Sequence, residues 1–102
     1  MAKNCSKYID NKEYVWYNSS NILYSECDDN PQSLVKNVKI VFKKGRCYLY
    51  HDVSILDYVI FREHSSQGKA LNEYIKKYEC ERINDVNLEE LENFKEKLFS
   101  EN

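Results

Sequence analysis

The sequence predicts an α+β fold: a small antiparallel sheet of three to four strands packed by two helices, with an additional acidic helix at the C-terminal end. Three observations lead to this prediction. Aromatic and β-branched runs fill the first half of the chain, a lysine-glycine turn separates two alternating segments, and helical periodicity begins after residue 53. A length of 102 residues favours a single domain, residues 1–102, with one modest core.

The first predicted strands lie in the N-terminal third of the chain. Glu13–Asn18 and Ser20–Cys27 are rich in aromatic and β-branched residues, which fit the pleated surface of a strand. Asp, Asn and Pro then cluster in Cys27–Ser33 and predict a turn. We therefore expect the strand before this turn to pair antiparallel with the first arm of the central hairpin.

The central hairpin turns at Lys44-Gly45. Apolar residues alternate along residues 38–42, and the second arm covers residues 46–51. Tyr48 and Tyr50 are two positions apart and must share a face of the sheet. That face is either an open stacking platform for a ligand or a core covered by helices, and the large size of the rings favours burial.

Three helices are expected after the hairpin. Ser54 and Asp57 have the spacing of an N-cap, and apolar residues then repeat at helical intervals until His64–Lys69 interrupts them. A second apolar stripe runs from residue 70 to residue 78. Asn87 can cap the third helix, whose apolar seam must dock on its own sheet or on a partner. The seam consists of Leu88, Leu91, Phe94 and Leu98.

Several classes of protein are disfavoured by composition. No apolar run reaches the roughly 18 residues that a bilayer span requires, and the N-terminal segment lacks the apolar centre of a signal peptide. We therefore expect a cytoplasmic protein. The four cysteines are isolated from one another, without a C-x-x-C motif or a nearby histidine pair, so we expect no metal site and no cofactor. They are Cys5, Cys27, Cys47 and Cys80.

An enzymatic role is not expected. His51, His64 and Cys47 have the residue types of acid-base and nucleophilic chemistry. No nucleophile-elbow or oxyanion signature accompanies them, and the sequence assigns no catalytic residue.

Charge is divided unevenly along the chain. Residues 36–78 carry nine basic and four acidic groups, whereas residues 79–102 carry three basic and eight acidic groups. Such asymmetry is typical of a segment that meets phosphates beside a segment that meets a cationic surface, although both can be solvated faces.

The middle of the chain resembles the KTSC domain, a module named for the C-terminal extension of some lysyl-tRNA synthetases and also found alone in small bacterial and phage proteins. The resemblance covers residues 19–80, leaving residues 1–18 as an N-terminal strand or arm and 81–102 as the acidic helix. It implies an RNA-related role without an established activity. The residues that carry it are Ser19-Ser20-Asn21-Ile22, Phe42-x-x-Gly45, Tyr48-x-Tyr50, Val53, Tyr58, Ser66-x-Gly68-Lys69, Asn72, Ile75 and Tyr78.

Two functions are predicted as alternatives. The first is a non-enzymatic module that binds RNA or a ribonucleoprotein through the basic hairpin and the residue before the second helix. Its candidate residues are Lys39, Lys43, Lys44, Arg46, Tyr48, Tyr50 and Lys69. The second is a phage or mobile-element inhibitor, similar to an anti-CRISPR protein, which binds a basic nucleic-acid-handling protein such as a host RNA-guided nuclease. Its candidate residues are Tyr14, Trp16, Tyr17, Glu89, Glu90, Glu92 and Glu96.

Overall fold

A computed structural model describes residues 4–28 and 32–100. They form one antiparallel sheet with its strands in chain order. The strands are β1 (Cys5–Ile9), β2 (Lys12–Trp16), β3 (Ile22–Asp28), β4 (Val35–Phe42), β5 (Cys47–Ser54) and β6 (Cys80–Ile83). The helices are α1 (Ile55–Glu63), α2 (Gln67–Ala70), which continues into a π-helical turn (Leu71–Ile75), and α3 (Leu88–Ser100). Part of the turn predicted at Cys27–Ser33 lies outside the described residues.

The α+β class is confirmed, but the sheet has six strands and not the three to four predicted. The two additional strands are the edges, β1 and β6. Most of their side chains are exposed or only half-buried, so they lack the alternating burial that gives a strand its sequence signature. Backbone pairing holds them: β1 joins β2 through a two-residue turn at Asp10-Asn11, with φ of 50° and 62°, and β6 pairs with β5.

One side of the sheet, the α1 face, packs against α1 and the α2 segment. Val38 and Ile40 of β4 and Tyr50 of β5 are buried there with Phe61 and Ile75 of the helices. The alternation predicted for residues 38–42 therefore places its apolar side chains in this core. A partly buried ion pair also fixes α1 over the sheet, since the Glu13 carboxylate accepts hydrogen bonds from Tyr58 Oη and from Arg62 Nη1, the latter at 3.0 Å.

The opposite side, the α3 face, is covered by the C-terminal helix. Leu91 and Leu98 of α3 are buried there against Trp16, and the Trp16 ring lies 5.9 Å from the Phe94 ring and 5.7 Å from the Phe99 ring. The apolar seam of the third helix thus docks on its own sheet. The sequence had allowed either this sheet or a partner protein as the docking surface.

The helix boundaries follow the predicted caps, with one exception. Ser54 Oγ accepts a hydrogen bond from the Asp57 N–H at 3.1 Å, and Asn87 Oδ1 accepts one from the Glu90 N–H at 3.0 Å. The second helical segment begins at Gln67, three residues earlier than expected. It ends in a π turn that closes when the Lys76 N–H donates to the Leu71 carbonyl at 2.9 Å.

The turn between β4 and β5 depends on Gly45. Its φ of +98° lies in a region that residues with a Cβ rarely adopt. The Gly45 N–H donates to the Phe42 carbonyl at 2.9 Å, and the Gly45 carbonyl accepts from the Val86 N–H at 2.8 Å. The turn is therefore joined to the connection between β6 and α3, which fixes the backbone of the basic residues beside it.

Candidate nucleic-acid interface

A cleft of about 700 Å³ opens on the α1 face, where the β4–β5 hairpin and strand β6 extend beyond the helical cover. Its volume lies in the range of about 300–1,000 Å³ that is usual for small-ligand sites. Four cations, three aromatic rings and three small polar or thiol groups line it. The lining residues are Ser20, Asn21, Phe42, Lys43, Lys44, Arg46, Tyr48, Tyr50, Lys76 and Cys80.

The floor of the cleft is aromatic. Tyr48 and Tyr50 share a face as predicted, but they differ in exposure: Tyr50 is 4 % exposed and belongs to the core, whereas Tyr48 is only half-buried. Burial raises the pKa of Tyr50 to about 12, so its hydroxyl stays protonated at neutral pH. The Phe42 ring meets the Tyr48 ring edge-on, with centroids 5.8 Å apart and planes at 82°. Tyr50 is therefore core and Tyr48 is the accessible ring.

The rim of the cleft is cationic. Lys43, Lys44 and Arg46 flank Gly45 in the hairpin turn, and Lys76 follows the π turn from the helical side. All four side chains belong to exposed residues. Within residues 4–28 and 32–100, no carboxylate forms an ion pair with any of them. Their charge is thus available to an anionic ligand.

The polar wall is built by the segment that precedes β3. Ser19 Oγ accepts hydrogen bonds from the Asn21 and Ile22 N–H groups, each at 3.2 Å, and the Asn21 carbonyl accepts from the Lys43 N–H at 3.0 Å. The Asn21 side chain lies against Gly68, where an added Cβ would be 2.9 Å from Asn21 Nδ2. Two segments distant in sequence therefore meet at this wall.

Five of the seven residues predicted to bind nucleic acid line this cleft, and two do not. Lys39 projects from the side of β4 opposite to its core residues. It therefore lies on the α3 face, where its Nζ is 3.6 Å from Glu26 Oε1. Lys69 is exposed at the start of α2, where its N–H donates to Ser66 Oγ at 3.5 Å. Strand parity keeps Lys39 away from the cleft, and Lys69 lies in α2, outside the residues that line it.

Other cleft residues were absent from the predicted site. Lys76 and Cys80 come from the helix end and the edge strand, and no sequence period links either residue to the hairpin. Asn21 and Phe42 did stand out in the resemblance to the KTSC domain, and that was the one signal that pointed to them.

The residues predicted to bind a protein partner separate into two groups. Trp16 and Tyr17 are 4 % and 5 % exposed, and the Tyr14 ring packs edge-on to Phe94 at 5.4 Å. These rings serve the internal packing of the sheet. The carboxylates, in contrast, belong to exposed residues of α3, and none forms an ion pair with another described residue. They are Glu89, Glu90, Glu92 and Glu96.

The histidines and the buried cysteine of the hairpin are dispersed. His51 Nε2 lies 2.8 Å from Glu81 Oε2, and His64 Nδ1 accepts a hydrogen bond from the Ser66 N–H at 2.9 Å. Burial raises the pKa of the Cys47 thiol, which disfavours the nucleophilic thiolate. Cys47 and His51 are four residues apart on one strand, or about 13 Å, too far for direct proton transfer.

The described residues contain neither a metal-binding cluster nor a membrane-spanning helix. No group of three or more His, Cys, Asp or Glu side chains in this part of the chain is arranged to hold a metal ion. None of the helices described above has the length and apolar character that crossing a membrane requires.

The sequence that forms this cleft matches a known domain family. The KTSC domain model matches residues 18–78, which is more than half of the sequence. The protein belongs to the KTSC domain family. No curated protein and no solved structure matches it.

The matched KTSC segment contains nearly the whole cleft. It includes the polar wall, the hairpin with its cations and aromatic rings, and Lys76, and it stops two residues before Cys80. Strands β1, β2 and β6 and helix α3 lie outside it. The cleft is therefore formed mainly by the KTSC segment and is completed by the edge strand that follows.

Proposed function

We propose that this KTSC protein is a non-enzymatic, cytoplasmic module that binds RNA, free or within a ribonucleoprotein, in the cleft on its α1 face. The observation that carries the proposal is the conjunction of an accessible aromatic ring with four cations around one concavity, none of them paired with a carboxylate among the described residues. Lys43, Lys44, Arg46 and Lys76 supply the charge, and Tyr48 supplies the ring.

Each component of the cleft matches one part of a nucleotide. Lysine and arginine side chains bind phosphate oxygens and release counterions, which supplies affinity without sequence preference. An aromatic ring stacks with an unpaired base and contributes about 1–3 kcal/mol per base. Asn21 and Ser20 offer amide and hydroxyl groups that can hydrogen-bond to base edges or to the ribose 2′-OH.

The distribution of charge between the two faces of the sheet also favours binding of RNA at the cleft. The exposed carboxylates of α3 lie on the opposite face of the sheet from the cleft. A polyanion approaching the protein is repelled by the α3 face and attracted to the α1 face, so long-range charge directs it towards the cleft.

A salt titration of RNA affinity tests the proposal. The probe is a fluorescein-labelled single-stranded RNA of mixed sequence, and its anisotropy reports binding. If all four cations contact phosphates, the slope of log K against log salt is about −3, because each contact to a single strand contributes about −0.7. Lys43→Ala and Lys44→Ala should each weaken binding and reduce the slope by about 0.7.

Lys97→Ala is the matched control, because Lys97 is exposed on α3 and the substitution removes the same charge from the opposite face. Its effect on RNA affinity should be small. The proposal is wrong if the wild-type protein shows no RNA binding at low salt, or if Lys97→Ala weakens binding as much as Lys44→Ala.

The exposed acidic surface of α3 favours a second candidate function, an anti-CRISPR-like inhibitor. Four exposed carboxylates on one helix, with no ion-pair partner in the described part of the chain, can occupy a cationic nucleic-acid channel of another protein. Because Trp16 and Tyr17 are buried, this candidate now rests on the helix alone. A triple charge reversal of Glu89, Glu90 and Glu92 to Lys should abolish inhibition of a purified RNA-guided nuclease in a cleavage assay, and inhibition that persists would exclude this role for the helix.

A further inference from the structure

We propose that the ligand of the cleft is specifically single-stranded RNA, and that the strand continues from the hairpin turn across Tyr48 to the edge strand β6, where Arg82 binds an additional phosphate. This inference rests on the proposed function, because it specifies the ligand of the same cleft. It adds to that proposal that the RNA is single-stranded, that it crosses the sheet from the hairpin turn to β6, and that Arg82 is a further contact.

The position of Tyr48 in the cleft favours an unpaired base. Tyr48 is half-buried and lies at the floor, in a T-shaped contact with the Phe42 ring. In a duplex the bases are stacked inside the helix, and RNA duplexes are bound mainly through phosphates and 2′-hydroxyl groups across the minor groove. Only a nucleotide outside a duplex can bring its base to a ring at the bottom of this concavity.

The position of Arg82 follows from the strand register. Arg82 of β6 is the direct antiparallel partner of Tyr48 in β5, and directly opposite residues project from the same face with Cβ atoms about 4.5–5.5 Å apart. Cys80, which lines the cleft, projects from the same face two residues earlier. Arg82 thus extends the lined surface to the open edge of the sheet.

Arg82 is engaged, but only weakly. Its Nη2 lies 3.2 Å from Asp85 Oδ1, and both side chains are more than half exposed. Such surface pairs contribute about 0–1 kcal/mol, whereas a phosphate offers arginine a stronger, bidentate partner. The exchange of Asp85 for a phosphate is therefore favourable. Asp85 competes with the ligand, so its removal should strengthen binding.

The proposed path of the RNA across the sheet accounts for the positions of the cations. Lys43, Lys44 and Arg46 lie at the hairpin turn, and Arg82 lies across β5 from them, with Tyr48 between the two groups. An extended strand with its base on Tyr48 places the flanking phosphates on either side of the ring. One phosphate meets the turn and the other meets Arg82.

The test compares strand states and then the Arg82–Asp85 pair in the full-length protein. Anisotropy is measured with a labelled single-stranded RNA of mixed sequence and with the same strand annealed to its complement as a blunt duplex. The single strand should bind at least about tenfold more tightly at moderate salt, since stacking on Tyr48 is available only to it. Tyr48→Ala should remove most of this preference.

Substitutions of Arg82 and of Asp85 should change the affinity for single-stranded RNA in opposite directions. Arg82→Ala should weaken single-strand binding about fivefold through one lost phosphate contact, and Asp85→Asn should strengthen it about twofold to fivefold. The gain from Asp85→Asn should disappear in the Arg82→Ala background. A purely long-range effect of the Asp85 charge would instead be additive in this double-mutant cycle. Lys97→Ala again serves as the control for loss of one positive charge.

The outcomes separate this inference from the proposed function. Absence of any RNA binding at low salt overturns both. If the single strand binds but Arg82→Ala behaves like Lys97→Ala, or the duplex binds as tightly as the single strand, the proposed function stands and the single-strand path is wrong. Arg82→Ala and Asp85→Asn change exposed side chains, and their circular dichroism spectra should match that of the wild type.

Discussion

Substitution of Gly45 by alanine should destabilise the protein strongly, because the hairpin turn leaves no space or conformational freedom for a Cβ. A left-handed backbone costs an L-residue about 1–2 kcal/mol, and Gly45 has a φ of +98°. The new Cβ would also lie 2.8 Å from the Val86 carbonyl oxygen. Relief of that contact must disturb the hydrogen bond from the Val86 N–H to the Gly45 carbonyl, at a cost of about 1 kcal/mol.

The summed loss for Gly45→Ala is about 2–3 kcal/mol. A domain of this size loses about 4–8 °C of Tm per kcal/mol, so Tm should fall by about 10–20 °C in a thermal melt followed by circular dichroism.

Gly68→Ala is the matched control, since Gly68 is the other glycine of the chain. Its added Cβ would meet only the side-chain amide of Asn21, at 2.9 Å, which can rotate away. Alanine also gains up to about 1 kcal/mol of helix propensity at this position within α2. Gly68→Ala should therefore change Tm by a few degrees at most. The account of the turn is refuted if Gly45→Ala lowers Tm no more than Gly68→Ala does.

Two further predictions concern stability. Hydrogen bonds from Tyr78 and Lys77 lower the pKa of the Asp57 carboxyl. Because the folded pKa is below the unfolded value of about 3.9, this contribution is complete above about pH 4 and is lost as pH falls through the folded pKa. Urea unfolding between about pH 6 and pH 2 should show a smaller acid-induced loss of stability for Asp57→Asn than for the wild type, and equal losses would contradict the linkage. Leu98→Ala should reduce the free energy of unfolding by about 2–3 kcal/mol, because Leu98 is buried against the sheet, whereas Leu88→Ala, at a residue 42 % exposed, should reduce it by less than half as much. Equal effects in urea titrations would show that α3 does not pack as described.

Local chemistry explains which parts of the fold the sequence could predict. Ser54 and Asn87 cap their helices as expected, because a cap needs only a side-chain oxygen at the right spacing from nearby N–H groups. The alternation along residues 38–42 predicted the buried face of β4, since a strand that buries one face must repeat every two residues. The Lys44-Gly45 turn required only a residue that tolerates positive φ.

The candidate site was predictable in part for the same reason. Lys43, Lys44, Arg46, Tyr48 and Tyr50 are neighbours in one hairpin, and hairpin geometry brings them together regardless of the rest of the chain. Their position at a cleft depends on where the helical cover ends, which is a property of packing.

The sequence by itself determined the α+β class, the hairpin, the caps of α1 and α3 and the division of charge, because each of these arises from interactions within a few residues. Tertiary structure decided the rest. It paired the edge strands, placed Lys76 and Arg82 near Tyr48 and buried Trp16 under α3. These outcomes depend on backbone pairing and on packing between segments distant in sequence, and neither leaves a periodic signal in the residues concerned.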